Sequence, residues 1–327
     1  MQLTYRPGFP ADPASLGCAA LLLGTSNERY FDAARRQAEY LVKRATRFTI
    51  NDTHSAISHR DDPPQLWGDF VYMVPPFLAS YGVATHDDSF LDEAVLQCQL
   101  YRDVLTTSIL IEGDESDSYD ENATCKGLWM HVASHPTKLP SDVCCNDPGV
   151  WLTSNAWAVA GITRVLATLL KWNPPQSIKE NFDYNHFLLR KNEILVNILL
   201  EMLKCVIDQS RDHDSGLLKN YLDGGWYKNA VYAYGDAAGT AMMAAAVYRL
   251  AVLLPETFAT PTYLHWADTN RRAVTSHVGS GGRVGPVADV NHVPSRGPRR
   301  HTSEGQSMVV LMFSAWRDCR RSGICND

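Results

Sequence analysis

The chain has 327 residues, and 30 Lys and Arg against 36 Asp and Glu give a formal charge of −6 with a pI of about 6.0. Negative charge spread along the chain cannot condense on a phosphate backbone, which argues against a dedicated nucleic-acid binder. An apolar share of 45% and a charged share of 20% exclude wholesale disorder and collagen-like repetition, and no apolar run reaches the ~18 residues of a membrane-spanning helix.

In chain order, apolar residues recur at three- and four-residue spacing over 14–23, 27–47, 66–81, 89–105, 150–172, 184–209, 236–254, 263–276 and 304–319. Each pattern predicts a helix with one buried face. No run of alternating strands interrupts them, so the expected fold class is all-α, a single domain over 1–327 built from stacked helical hairpins. Asn27 and Asp236 stand where helix caps belong, and Pro255 follows a helix end. Ala237, Ala238, Gly239, Ala241, Ala244, Ala245 and Ala246 leave so little bulk that their helix is expected to be internal. Four connections, 48–65, 106–149, 210–235 and 277–303, exceed the ~12–15 residues usual for a structureless loop. They carry most of the His, Trp, Asp and Arg, and the site is expected where they converge.

Residues 1–13 lack a basic start, an apolar core and a small-residue cleavage site, so no secretory leader is read there. Cys18, Cys98, Cys125, Cys144, Cys145, Cys205, Cys319 and Cys325 include no C-x-x-C pair, which argues against a zinc ribbon or a thioredoxin site. Scattered free thiols are the default expectation. Their even number and two glycosylation sequons, Asn51-Asp52-Thr53 and Asn122-Ala123-Thr124, keep export and cytoplasmic residence equally open. Phosphate-loop, H-E-x-x-H and G-x-S-x-G templates are all missing. The oligomeric state is not legible.

Chemistry-bearing residues fall into clusters. Asp69 opens an apolar helix, where a carboxylate serves either as a cap or as a functional acid. Trp67 and Tyr72 beside it offer the flat apolar faces on which sugars stack, with His59 and Arg60 just upstream. Next come His131, after Gly127-Leu128-Trp129-Met130, and the segment Asp147-Pro148-Gly149-Val150-Trp151-Leu152-Thr153-Ser154-Asn155-Ala156-Trp157. A lone histidine is more often an interior residue than a ligand-facing donor. Ser303 and Gln306 form an S-x-x-Q capping box, and the loop 296–301 is locally basic.

Together these pieces resemble glycoside hydrolase family 105, the unsaturated rhamnogalacturonyl hydrolases, and the related unsaturated glucuronyl hydrolases of family 88. Residues 67–77 are similar to the family's W-x-D-x-x-Y-M-x-x-P-F, Gly127 to His131 to its G-L-x-Y-H, and Trp151, Asn155 and Trp157 to its W-G-R-G-N-G-W. Asp236 to Met242 and Ser303 to Gln306 resemble two later helix starts. The resemblance implies an (α/α)6 barrel, a toroid of six hairpins, and since fewer than twelve helices are read, the first hairpin is truncated or short helices are missed. It implies a small oligosaccharide substrate and neither a metal nor an organic cofactor. In that chemistry an acid protonates the C4=C5 double bond of an unsaturated uronic acid, water adds at C5, and the hemiketal opens to release the neighbouring sugar. The resemblance implies Asp69 as a catalytic carboxylate, and Trp67, His131, Trp151, Asn155, Trp157 and Asp236, with His59 and Arg60, as substrate contacts.

One departure bears on the chemistry. After G-L-x-Y-H the family continues G-W-D, and that Asp is its principal acid, whereas Val132-Ala133-Ser134 stand here. A serine hydroxyl is too weak an acid to protonate an enol ether. Three readings stay open: Asp147, or else Asp142, supplies the missing acid; the barrel serves another reaction around Asp69; or the chain is an inactive or sugar-binding relative.

Overall fold

The computed structural model describes residues 8–110, 124–134, 147–174, 176, 182–224, 233–289 and 297–326. Its contacts fall into two compact units. One is drawn from Met1–Thr106, Val132–Asp147 and Gly161–Leu200, the other from Thr107–His131, Pro148–Ala160 and Glu201–Asp327.

In the first unit a 3-10 turn, Asp12–Leu16, leads into α1 (Gly17–Gly24) and α2 (Glu28–Lys43). Asn27 caps α2 by accepting from the Arg29 amide, and Ala34, Gln37, Ala38 and Leu41 make its buried stripe. Strands β1 (Arg47–Thr49) and β2 (Ser55–Ile57) form a hairpin, and β3 (Arg60–Asp61) and β4 (Pro64–Trp67) form another. Helices α3 (Phe70–Met73), α4 (Pro75–Thr85) and α5 (Asp88–Leu105) follow, the last capped by Asp87. α5 secures the first hairpin, since the Tyr101 hydroxyl donates to the Ile57 carbonyl and Gln97 accepts from the Ile57 amide. Phe70 stacks on Tyr101 at 4.4 Å between ring centroids.

Helices α6 (Leu152–Lys171) and α7 (Phe182–Ile207) are the two longest described. In the second unit β6 (Thr124–Trp129) pairs with β5 (Thr106–Leu110). Helices α8 (Ala237–Leu253), α9 (Pro255–Phe258), α10 (Pro261–Ser276) and α11 (Ser303–Arg321) pack together, with α8 buried along nearly its whole length. The small-residue run thus forms an internal helix, as its composition predicts.

Three sequence expectations are corrected. The predicted helix 27–47 stops at Lys43 and runs into β1, and the predicted helix 66–81 begins as strand β4 and breaks where Pro75 starts a new helix. Strand β7 (Val132–Ser134) and the others span only two to six residues, too short for an alternating pattern to register. The expectation of free thiols fails for four cysteines: disulfides join Cys125 to Cys205 and Cys319 to Cys325, both within the second unit. Cys18 and Cys98 are free, while Cys144 and Cys145 lie outside the described residues. No described helix is long and apolar enough to cross a membrane.

Candidate active site

In the first unit β4 lies between β3 and β7, with Gln65 opposite Ser134, Leu66 opposite Ala133 and Trp67 opposite Val132. On its other edge Val132 exchanges both backbone hydrogen bonds with Asp147, at 2.9 and 3.1 Å. Directly opposed antiparallel residues, and residues two apart on one strand, share a face. One face of this patch therefore carries Trp67, Val132 and Asp147 in one row and Arg60, Gln65 and Ser134 in the next. Two cross-strand steps put the Asp147 backbone about 10 Å from that of Trp67.

Trp67 is held on several sides. Its indole N–H donates to Gln65 Oε1 at 2.8 Å. The His59 ring stacks on it at 5.0 Å and 16°, and the Arg60 guanidinium lies 4.4 Å from its ring centroid and equally near the ring of Phe9. Arg60 and His59 thus both pack on the Trp67 ring, and a guanidinium presents the fork that recognises a carboxylate.

Asp69 follows two residues on, at the start of α3. The expected alternative role as a helix cap is not taken up. Its backbone is already helical and its side chain makes no capping hydrogen bond, whereas Asn27, Asp87 and Asp236 all cap their helices. Its Oδ1 is buried and has no hydrogen-bond partner among the described residues. The Ser134 hydroxyl, where the resemblance puts the family's acid, is also buried and without a partner among them. Asp142 lies outside the described residues.

In the second unit the expected contacts are largely occupied by the protein itself. Asn155 accepts from the Trp129 amide and donates to the Trp129 and Trp151 carbonyls, at 2.8 to 3.0 Å. Trp151 donates its indole N–H to Asn220 Oδ1, and the His131 ring sits 4.6 Å from it. Trp157 is half-buried and donates to Glu304 at 2.8 Å. Asp236, wholly buried, accepts from the Ala238, Gly239 and Ala288 amides and the Thr153 hydroxyl. Burial pushes its carboxyl up while those four donors pull it down. Asn155, Trp151 and Asp236 therefore anchor the backbone.

Some roles differ from the sequence expectation. Thr302, not Ser303, caps α11, and Gln306 instead clamps the preceding loop by donating to the Gly282 carbonyl and accepting from the Val284 amide. Arg299 of the basic loop is paired with Asp289, and Arg296 lies outside the described residues. Sequence reading gave no role to Gln65, Asn220 or Glu304, the last quoted only within a helix-start motif, since Asn220 and Glu304 meet their Trp partners across 69 and 147 residues. It also passed over Asp61, whose Oδ1 is buried without a partner among the described residues and whose run Asp61-Asp62-Pro63 reads as a turn.

Solved structures share this fold. A possible family 105 member from Salmonella enterica serovar Paratyphi A aligns with a TM-score of 0.66 at 18% identity, over 98% of this chain and 73% of that one. The unsaturated glucuronyl hydrolase of Bacillus sp. GL1, described as responsible for the degradation of glycosaminoglycan, aligns at 0.52 and 15% identity, over 95% and 74%. An α-1,6-mannanase from a Salegentibacter species also aligns, at 0.59 and 14% identity over 97% and 78%, so the fold leaves the substrate open. The fold class is the all-α, (α/α)6 barrel type of these hydrolases. The profile of Glycosyl Hydrolase Family 88 matches residues 12–295, most of the chain, and the protein is therefore a member of glycosyl hydrolase family 88.

Proposed function

We propose that the protein hydrolyses unsaturated uronic-acid oligosaccharides of the rhamnogalacturonan type by protonating the C4=C5 double bond and hydrating C5. The observation that carries this reading is the Asp69 carboxylate, which does not cap its helix and whose buried Oδ1 has no hydrogen-bond partner among the described residues. A carboxyl group kept apart from the fold's own hydrogen bonding is available to a reacting group. In this reading Asp69 is a catalytic acid, Trp67 lines the sugar subsite, and Arg60 with His59, both packed on the Trp67 ring, receives the uronate carboxylate. Asp147 shares the strand patch with Ser134 and supplies the second carboxylate, and the Ser134 hydroxyl holds the water. The proton goes to C4, water oxygen bonds to C5, and its surplus proton returns to a carboxylate. The resulting hemiketal then opens to release the neighbouring sugar.

The test follows the ultraviolet absorbance of the double bond during incubation with unsaturated rhamnogalacturonan disaccharides. Wild type removes it, and Asp69→Asn slows the removal about 100-fold or more. Ser134 in place of an acid favours a second reading, a sugar-binding relative without turnover. Undiminished absorbance from a wild-type protein that still binds the sugar selects that reading and rejects the hydrolase.

A further inference from the structure

The β1–β2 hairpin has no part in the proposed chemistry. After Thr49 and Ile50 its tip is Asn51-Asp52-Thr53-His54, four exposed residues that lead into Ser55. Asn51, Asp52 and Thr53 make an N-x-T acceptor sequence. The Asn51 side-chain oxygen accepts from the Thr53 amide at 3.0 Å, the Thr53 hydroxyl at 2.9 Å and the His54 amide at 2.9 Å. Its Nδ2 takes part in none of these bonds, so a substituent on that nitrogen leaves the turn intact. Strands β1 and β2 pair with each other from Arg47↔Ile57 to Thr49↔Ser55, α5 holds the hairpin at its Ile57 end, and the exposed tip lies beyond the last pair at the opposite end, where a bulky polar chain meets water.

A second observation comes from the other unit. Cys125 and Cys205, 80 residues apart, and Cys319 and Cys325 are joined as disulfides. Disulfides that persist as structural links belong to oxidising compartments, the same ones through which glycosylated chains pass. Acceptor sequence, exposure and disulfides are three separate features, and all agree.

From them we infer that Asn51 is an N-glycosylation site of an exported protein. The donor is a lipid-pyrophosphate-linked oligosaccharide. The bond between the sugar C1 and the pyrophosphate oxygen breaks, the lipid pyrophosphate leaves with the electron pair, Nδ2 bonds to C1, and the Nδ2 proton passes to a base of the transferase. The site is independent of the hydrolase reading.

The full chain, translated behind a secretion leader with microsomes, provides the test. Asn122, which lies outside the described residues, is replaced first, so that Asn122→Gln leaves Asn51 as the remaining sequon. This variant is expected to gain one glycan, seen as a mobility shift that peptide N-glycosidase reverses. The shift disappears with Asn51→Gln or Thr53→Ala and survives Thr53→Ser, which keeps the hydroxyl. Mass mapping of the product released in heavy-oxygen water should find labelled Asp at position 51. A translocated Asn122→Gln chain without the shift, or a shift that persists in the double variant Asn51→Gln/Asn122→Gln, overturns the assignment.

Discussion

Among single residues, carboxylates divide by what the fold asks of them. Asp236 and Asp69 both stand at helix starts in the sequence, yet Asp236 takes four protein donors while Asp69 takes no capping bond. Asp236→Ala strands four buried donors and should cost about 3–5 kcal/mol, read as a lowered urea midpoint. Asp69→Asn should leave stability within about 0.5 kcal/mol of wild type while slowing turnover about 100-fold or more. The sequence marked both positions but could not separate them, because whether a carboxylate binds its own helix depends on backbone angles one residue long. Asp147 is tested by exchange. Asp147→Asn should lose activity, and adding Ser134→Asp should restore part of it, because position 134 lies on the same face one strand away. Full activity in Asp147→Asn alone would remove that residue from the reaction.

Elements fit together closely where a side chain is missing. A Cβ on Gly161 of α6 would lie 2.2 Å from the Val71 carbonyl oxygen and 2.7 Å from the Tyr72 nitrogen, so α6 and α3 meet backbone to backbone. Arg164, one turn on, lies over the Tyr72 ring and donates to the Tyr72 carbonyl. Gly161→Ala should therefore destabilise by about 3 kcal/mol, whereas Gly281→Ala, with open space around it, should change stability by less than about 0.5 kcal/mol. Thermal unfolding of the two variants compares them directly. The long helices were legible because their apolar stripes extend over several turns, as in α2 and α5. The strands that organise Trp67 and Ser134 were not, since β3 has two residues and β7 three. Their register comes from long-range pairing that no local pattern records.

For the whole molecule, the charge balance and apolar share foretold a folded, non-basic protein, and the ordered motifs foretold its family. The cross-links were not foretold, because cysteine spacing along a chain carries no information on distance across it. Reducing the Cys125–Cys205 link, or Cys205→Ser, should cost about 2–4 kcal/mol, and Cys319→Ser less, because the loop it closes is far shorter. Urea titrations of each variant measure the difference. The patch that seats Trp67, Ser134 and Asp147 has a further consequence. Val132 is gripped on one edge by β4 and on the other by Asp147, so three segments distant in sequence are tied through a single residue. Val132→Pro, which removes the amide that donates to Asp147, would therefore loosen Trp67 and Asp147 together, because both neighbouring segments hold on to that one residue.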